Sequence, residues 1–307
     1  MRAVRIHRFG PPEVVVLEEI AKPSPAKGEV LVRVVAAGVA PWDAIIREGK
    51  SAVSPQPPLT LGSDLSGFIE AVGPGVETFK PGDEVYGVTN PQFCGAQAEY
   101  AIASAGMIAP KPATLTYNEA ASVPVVAVTA WQMLFQYALA TRSETVMITG
   151  AAGNVGAYGV QMALNAAMRV VAIARLQDSD LLRSLGVATV LDPSAPDFRD
   201  HLPSVDVLLD TVGGAVVEQC VGAVKPGGRL VSVVSSYAPP RRADIQSTFF
   251  YAEVTTERLQ TLNDLFGRGA ISARVGSVLP LAEARRAHEM LAGAPHRNGK
   301  IVLQVSE

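Results

Sequence analysis

The chain has 307 residues, 48% hydrophobic and 18% charged. That is ample apolar surface for one large or two ordinary domains and excludes intrinsic disorder. Lys and Arg number 26 against 29 Asp and Glu, a formal net charge of -3 with no basic block, so nothing marks a nucleic acid or an anionic membrane as partner and a small molecule is favoured.

In chain order, the first part is dense in Pro and Gly, punctuated at Gly10-Pro11-Pro12, Pro23-Ser24-Pro25, Gly73-Pro74-Gly75 and Lys80-Pro81-Gly82-Asp83. Between these turns lie short β-branched runs at Val30 to Ala36, Phe68 to Val72 and Glu84 to Val88, which predict many short strands and an irregular β domain. After about Asn118 apolar strands alternate with helical stretches, the pattern of a parallel sheet built from βαβ units. Strands are predicted at Val146 to Thr149, Val170 to Ala174, Val187 to Leu191, Val205 to Leu209 and Arg229 to Val234. Helices are predicted at Asn154 to Ala167, Ser179 to Leu185 and Ala215 to Val224. From Thr255 an amphipathic helix, another near Leu281 to Leu291 and a strand around Lys300 to Val305 are expected to pack back on the first domain. The domain division so predicted is 1–118, completed by 256–307, and 119–255.

Two uncharged stretches approach the about 20 apolar residues that cross a bilayer. Ala120 to Thr141 contains Ser122, Pro124, Thr129, Gln132 and Gln136 and reads as a buried helix of an α/β protein. Thr145 to Met168 is explained by the glycine turn described next, so no membrane span is expected. Arg2, Arg5 and Arg8 precede no apolar core of a secretory signal, and the two cysteines, Cys94 and Cys220, make neither a disulfide framework nor a four-cysteine zinc site. A cytoplasmic protein is expected.

The strand Val146 to Thr149 runs into Gly150-Ala151-Ala152-Gly153-Asn154-Val155-Gly156 and then a helix. This is the strand, turn and helix context of a dinucleotide fingerprint, with Ala151 in the first glycine's place. Gly153 lets the backbone approach a pyrophosphate and Gly156 lets the helix pack closely on the strand. At the end of the next strand, where an acid would accept from the ribose of NAD, stands Ala174-Arg175-Leu176-Gln177. A guanidinium there suits a 2′-phosphate, so NADPH is preferred over NADH, although Asp178 lies close by.

These pieces, with Ala37-Gly38-Val39-Ala40-Pro41-Trp42-Asp43, Leu61-Gly62-Ser63-Asp64-Leu65-Ser66-Gly67, Ala98-Glu99-Tyr100, Thr129-Ala130-Trp131, Asp210-Thr211-Val212-Gly213-Gly214 and Gly299-Lys300-Ile301-Val302-Leu303, make nearly the whole chain resemble the medium-chain dehydrogenase/reductase superfamily. The resemblance is to its zinc-free, ζ-crystallin-like quinone oxidoreductase branch. It implies an α/β protein with a GroES-like β domain, a Rossmann domain with a doubly wound parallel sheet, and an active site in the cleft. Zinc-dependent relatives carry a Cys, a His and an acid in the places of Ala40, Ser63 and Asp64. An alanine methyl and a serine hydroxyl are not ligands zinc prefers, and no zinc is expected. Many quinone reductases of the branch carry Asn in the place of Ala40, a departure that bears on the substrate.

By resemblance, Thr129 lies near the nicotinamide, Ala152, Gly153, Asn154, Val155 and Gly156 hold the pyrophosphate, and Ala174 and Arg175 meet the adenosine phosphate. The backbone of Val233, Val234 and Ser235 meets the carboxamide, and Asn298 and Lys300 return toward the cleft. Trp42, Asp43, Phe249 and Phe250 are candidate cleft residues. Core packing explains the three aromatics equally well, and a structural turn acid explains Asp43 better than catalysis does. Cys94 has no basic neighbour and reads as an incidental thiol.

Without a metal to acidify an alcohol, reduction of an electrophilic acceptor is the easier reaction. A quinone or an α,β-unsaturated carbonyl takes hydride from NADPH and a proton from water, and the protein supplies orientation and electrostatics. The competing reading is an NADPH-binding structural or regulatory protein without turnover. No tyrosine has a lysine four residues on, which sets a short-chain dehydrogenase aside. The segment Ser247 to Val254 reads as an edge strand, and a homodimer paired along it is expected by resemblance.

Overall fold

The computed structural model describes residues 1–53, 55–234 and 242–306. The chain forms two units, Met1–Val125 with Val254–Glu307, and Val126–Glu253. In the first unit, β1 (Arg2–Ile6), β2 (Val16–Glu19), β3 (Glu29–Val39), α1 (Pro41–Arg47), β4 (Leu59–Thr60), β5 (Asp64–Val72), β6 (Glu84–Val88), β7 (Tyr100–Ser104), β8 (Ile108–Pro110) and α2 (Tyr117–Ala121) follow in order. Across the seam come α3 (Pro124–Trp131) and a π-helical turn, Gln132–Tyr137. The second unit continues with β9 (Thr145–Thr149), α4 (Asn154–Asn165), β10 (Arg169–Ile173), α5 (Ser179–Ser184), β11 (Thr189–Leu191), β12 (Val205–Asp210), α6 (Gly214–Cys220), β13 (Val224–Ser232) and β14 (Gln246–Phe249). The tail adds α7 (Thr256–Gly267), β15 (Val275–Pro280), α8 (Ala284–Leu291) and β16 (Lys300–Gln304).

The long strand β3 organises the first unit. It pairs antiparallel with β5, β7 and β16, inside a sheet ordered β15-β16-β3-β5-β6-β8. Flanked on both edges, β3 buries Val30, Val32, Val34, Ala37 and Val39 in one core with Leu65, Ile69, Ile301 and Leu303, each larger side chain contributing roughly 1.5–3 kcal/mol. The tail therefore does pack on the first unit, through β16 and through α7. Thr255 caps α7 by accepting from Arg258 N, Leu259, Leu262 and Phe266 bury one stripe, and the Tyr86 hydroxyl bonds Leu259 O and Asn263 Oδ1 at 3.0 and 2.7 Å.

The second unit is a six-stranded, wholly parallel sheet in the order β11-β10-β9-β12-β13-β14. The first strand is central and the order reverses between β9 and β12, which is the doubly wound arrangement. Met147, Ile173, Leu208, Leu230 and Val217 form its core.

Several details depart from the sequence reading. The stretch from Ala120 to Thr141 is not one helix but α2, α3 and the π turn, because Pro124 restarts the chain after Ser122. The helix α2 packs on β3 and β5, so the seam falls after Val125 rather than after 118. The strand β15 was not read from the sequence. It is half-buried at the edge of its sheet and lacks a strong apolar run.

Candidate active site

Within the second unit, three strands end together. The Thr149 hydroxyl, last in β9, donates to Asp210 Oδ1 at 2.7 Å, and the Ser232 hydroxyl, last in β13, donates to Asp210 Oδ2 at 2.8 Å. Val212 N and Gly213 N also donate to Oδ1, at 3.1 and 2.8 Å. Asp210 is wholly buried and is stable there because its carboxylate is surrounded by donors. It ties the loops after β9, β12 and β13 at the point where the strand order reverses, the place where open α/β sheets bind ligands. In the sequence Asp210 stands out only as the first residue of Asp210-Thr211-Val212-Gly213-Gly214. An acid closing the apolar run Val205 to Leu209 was the available signal.

From this hub the glycine turn departs. Gly150 has φ +63, and a Cβ there would stand 2.6 Å from Thr211 Oγ1. At Gly156 a Cβ would lie 2.2 Å from Gly150 O, so only glycine lets α4 come so close to the turn. Gly153 precedes α4 and no side chain caps the helix, leaving its first N–H groups for an anion. Asn154 and Val155 are half-buried, Gly153 is exposed and Ala152 is buried. A dinucleotide pyrophosphate fits this cradle. Val233 N donates to Asp210 O and Val234 N to Ser232 Oγ, both at 3.1 Å. These two residues lie just past β13, which ends at Ser232 and not at Val234. Ser235 lies outside the described residues.

At the end of β10, Ala174 is buried and its N–H donates to Leu191 O at 3.1 Å. Arg175 is 69% exposed, with Nε 3.3 Å from Asp178 Oδ2, and its charge helps lower Asp192, whose carboxylate is held chiefly by the Ser194 hydroxyl and amide and by Leu176 N. Thr129 is buried on α3. Phe249, last in β14, is 37% exposed, whereas Phe250 is buried and stacks on Tyr137 with ring centroids 4.1 Å apart.

The first unit holds a separate buried polar cluster. The Trp42 indole N–H donates to Ser63 Oγ at 2.9 Å. Lys300 Nζ donates to Asp64 Oδ2 at 2.7 Å and lies 4.3 Å from the Trp42 ring centroid. Asp64 Oδ1 accepts from Val125 N at 3.1 Å. Lys300 is 1% exposed, its ammonium held between the Asp64 carboxylate and the Trp42 indole. Asn298 is exposed in the turn before β16. Asp43, third in α1, accepts from Ala40 N at 2.9 Å through Oδ2, while its buried Oδ1 has no hydrogen-bond partner. Burial pushes its carboxyl up to about 7, against the lowering charges of Lys300 and Arg47 and the Ala40 N–H. Burial likewise raises both thiols, Cys220 to about 12, which leaves neither a ready nucleophile. Among the described residues, no three His, Cys, Asp or Glu side chains gather as a metal site, and no helix is long and apolar enough to cross a membrane.

Comparison with known proteins agrees with this architecture. Residues 26–113 match the alcohol dehydrogenase GroES-like domain family, and residues 185–303 match the family described as zinc-binding dehydrogenase. The chain is 31% identical to the quinone oxidoreductase of Mus musculus over 325 residues, covering 99% of this chain and 97% of that one. It is similar to the solved structure of the quinone oxidoreductase from Coxiella burnetii, with a TM-score of 0.93, 29% identity, and 100% and 99% of the two chains covered. A mycobacterial protein solved in complex with NADPH aligns with a TM-score of 0.88 and 28% identity over 99% of this chain and 100% of that one. With its GroES-like unit, its doubly wound nucleotide-type sheet and these relatives, the chain belongs to the medium-chain dehydrogenase/reductase superfamily, as an oxidoreductase homologous to the ζ-crystallin-like quinone oxidoreductases.

Proposed function

We propose that this protein is a zinc-independent reductase that uses NADPH to reduce a quinone or an α,β-unsaturated carbonyl. The observation that carries the reading is the glycine turn set on the strand-order reversal, followed at the end of β10 by an arginine in place of an acid. The Ala152 to Gly156 turn and the N-terminus of α4 would hold the pyrophosphate, and Ala174 and Arg175 the 2′-phosphate side. Thr129 and the backbone of Val233 and Val234 would flank the nicotinamide. NADPH held there would supply the hydride, and one proton from water would complete the reduction of a quinone to the hydroquinone. The residues of the chain orient the partners and order the site, and no side chain is assigned as a proton donor.

Zinc independence rests on donor chemistry. Ala40 offers a methyl group, Ser63 Oγ accepts from the Trp42 indole, and both Asp64 oxygens are engaged, by Lys300 and Val125 N. The set lacks the nitrogen and sulfur ligands zinc prefers. The edge position of β14, with Tyr251 exposed beside Phe249, supports a homodimer paired along that strand. Light scattering at micromolar concentration is expected to give twice the monomer mass, and the monomer mass would refute the dimer.

The test is NADPH oxidation by the purified, chelator-treated protein with 9,10-phenanthrenequinone or methyl vinyl ketone, with NADH as control. Turnover with NADPH well above NADH is expected. Loss of turnover on chelation, restored by zinc, would overturn the zinc-independent reading. Tight NADPH binding without reduction of either acceptor would favour a binding protein instead.

A further inference from the structure

The turn after β10 sets two carboxylates beside Arg175. The chain there makes a 3-10 turn, Leu176–Asp178, closed by Asp178 N donating to Arg175 O at 2.9 Å. Side chains three apart eclipse in such a turn, which brings Asp178 Oδ2 to 3.3 Å from Arg175 Nε. Asp192, just past β11, accepts from Leu176 N at 2.7 Å through Oδ2, and from Ser194 N and Oγ at 2.8 and 2.6 Å through Oδ1. The turn thus joins one guanidinium to two carboxylates, and the next charges along α5, Asp180 and Arg183, oppose each other at 3.8 Å. A net negative charge is unfavourable for binding a phosphate.

The two acids act differently. Asp192 braces the backbone of the turn, with its carboxylate occupied by those N–H and O–H donors. Asp178 touches the guanidinium itself, and its side chain is 13% exposed against 69% for Arg175. Among the described residues Arg175 Nη1 and Nη2 have no partner, so the fork that grips a phosphate stays open while Nε is taken. Asp178 then has two opposed effects. Holding Nε orients the fork, but an exposed ion pair contributes little. Its charge also repels a 2′-phosphate, which carries about 1.5 to 2 negative charges near neutral pH. Repulsion is the larger effect, and NADH has no 2′-phosphate to feel it.

We propose that Asp178 is a specificity-determining residue that limits the preference for NADPH over NADH: its carboxylate shares Arg175 with the 2′-phosphate and repels that phosphate, so the chain discriminates less than Arg175 alone would allow. The proposal rests on the NADPH reading above and concerns the adenosine end of the cofactor alone.

The test titrates NADPH and NADH into the full chain and its Asp178→Asn variant by calorimetry. Adenosine 2′-monophosphate and adenosine 5′-monophosphate serve as probes of the adenosine end. The variant keeps an oxygen for Arg175 Nε and removes the charge. NADPH and the 2′-monophosphate should bind Asp178→Asn about three- to tenfold more tightly, while NADH and the 5′-monophosphate stay within about twofold. The gain should shrink as salt rises from about 50 to about 500 mM. A merely structural role would move both cofactors alike. Asp178→Ser, which still offers an oxygen at the start of α5, should show the same gain and decides the matter if Asp178→Asn does not fold. A NADPH-to-NADH affinity ratio unchanged or lowered in the variants, with the unaltered protein still preferring NADPH, would overturn the proposal and leave the NADPH reading standing. No preference for NADPH in the unaltered protein or in either variant would overturn both.

Discussion

Thr149 and Asp210 end the neighbouring strands β9 and β12, and the hydroxyl of one donates to the carboxylate of the other at 2.7 Å where the strand order reverses. Thr149 is used twice more, since Thr211 N donates to its Oγ1 at 3.1 Å and Thr211 Oγ1 to its backbone oxygen at 2.7 Å. The bond thus joins the loop that becomes the glycine turn to the loop that opens α6.

Thr149→Val removes a donor to a buried carboxylate and an acceptor for a backbone amide together. A loss of roughly 2–3 kcal/mol in unfolding free energy is expected, with weaker NADPH binding because the Gly150 turn rests on Thr211. Denaturant unfolding and fluorescence titration measure the two effects. Unchanged stability would show that the hub does not hold these loops.

Arg175→Ala tests the cofactor preference. Removing an exposed guanidinium should leave the fold alone and weaken NADPH about tenfold, the low end for a charge-assisted contact near solvent. NADH affinity should stay within about twofold, since NADH lacks the 2′-phosphate. Equal loss of both would move the phosphate contact elsewhere.

Asp43 gives a pH signature. Its carboxyl is pushed up to about 7 by burial, whereas in the unfolded chain it titrates near about 4. Between those values the native chain holds a proton that the unfolded chain has lost. The stability associated with the group is therefore full below about pH 4 and is lost as pH rises through about 7. Asp43→Asn keeps an acceptor for Ala40 N and does not ionise. Its stability relative to the unaltered protein should climb between pH 4 and 7 and level off above, by up to about 4 kcal/mol. Urea unfolding across that range checks it, and a difference independent of pH would contradict it.

The Asp64–Lys300 pair is buried at both ends, each side chain 1% exposed. Lys300→Met strands a carboxylate away from water and should destabilise by about 3–5 kcal/mol. Adding Asp64→Asn, which still accepts from Val125 N, should recover most of that loss in a double-mutant cycle. An additive double variant would show that the two side chains are not coupled.

The regular parts of this protein were legible in its residues. The strands from Val146 onward are short apolar runs bounded by turn signals, and their alternation with helices announces a parallel sheet. The glycine turn is equally plain, because a backbone that must pass within van der Waals contact of a helix leaves no choice at Gly156. The edge strand β15 and the π turn were not legible. A half-buried edge strand carries little periodic signal, and π winding arises from where a helix must aim its side chains, which periodicity cannot report.

What the sequence determined by itself was the fold class and the order of its elements, through apolar spacing and glycine placement, both local properties. Only the tertiary structure decided that Lys300 is spent on Asp64, 236 residues away in the chain, that Asp210 gathers donors from three strand ends, and that Gln132 holds the backbone of Glu253. Each depends on pairing groups distant in sequence, where burial makes a charge or an amide take whichever partner the packing brings within reach.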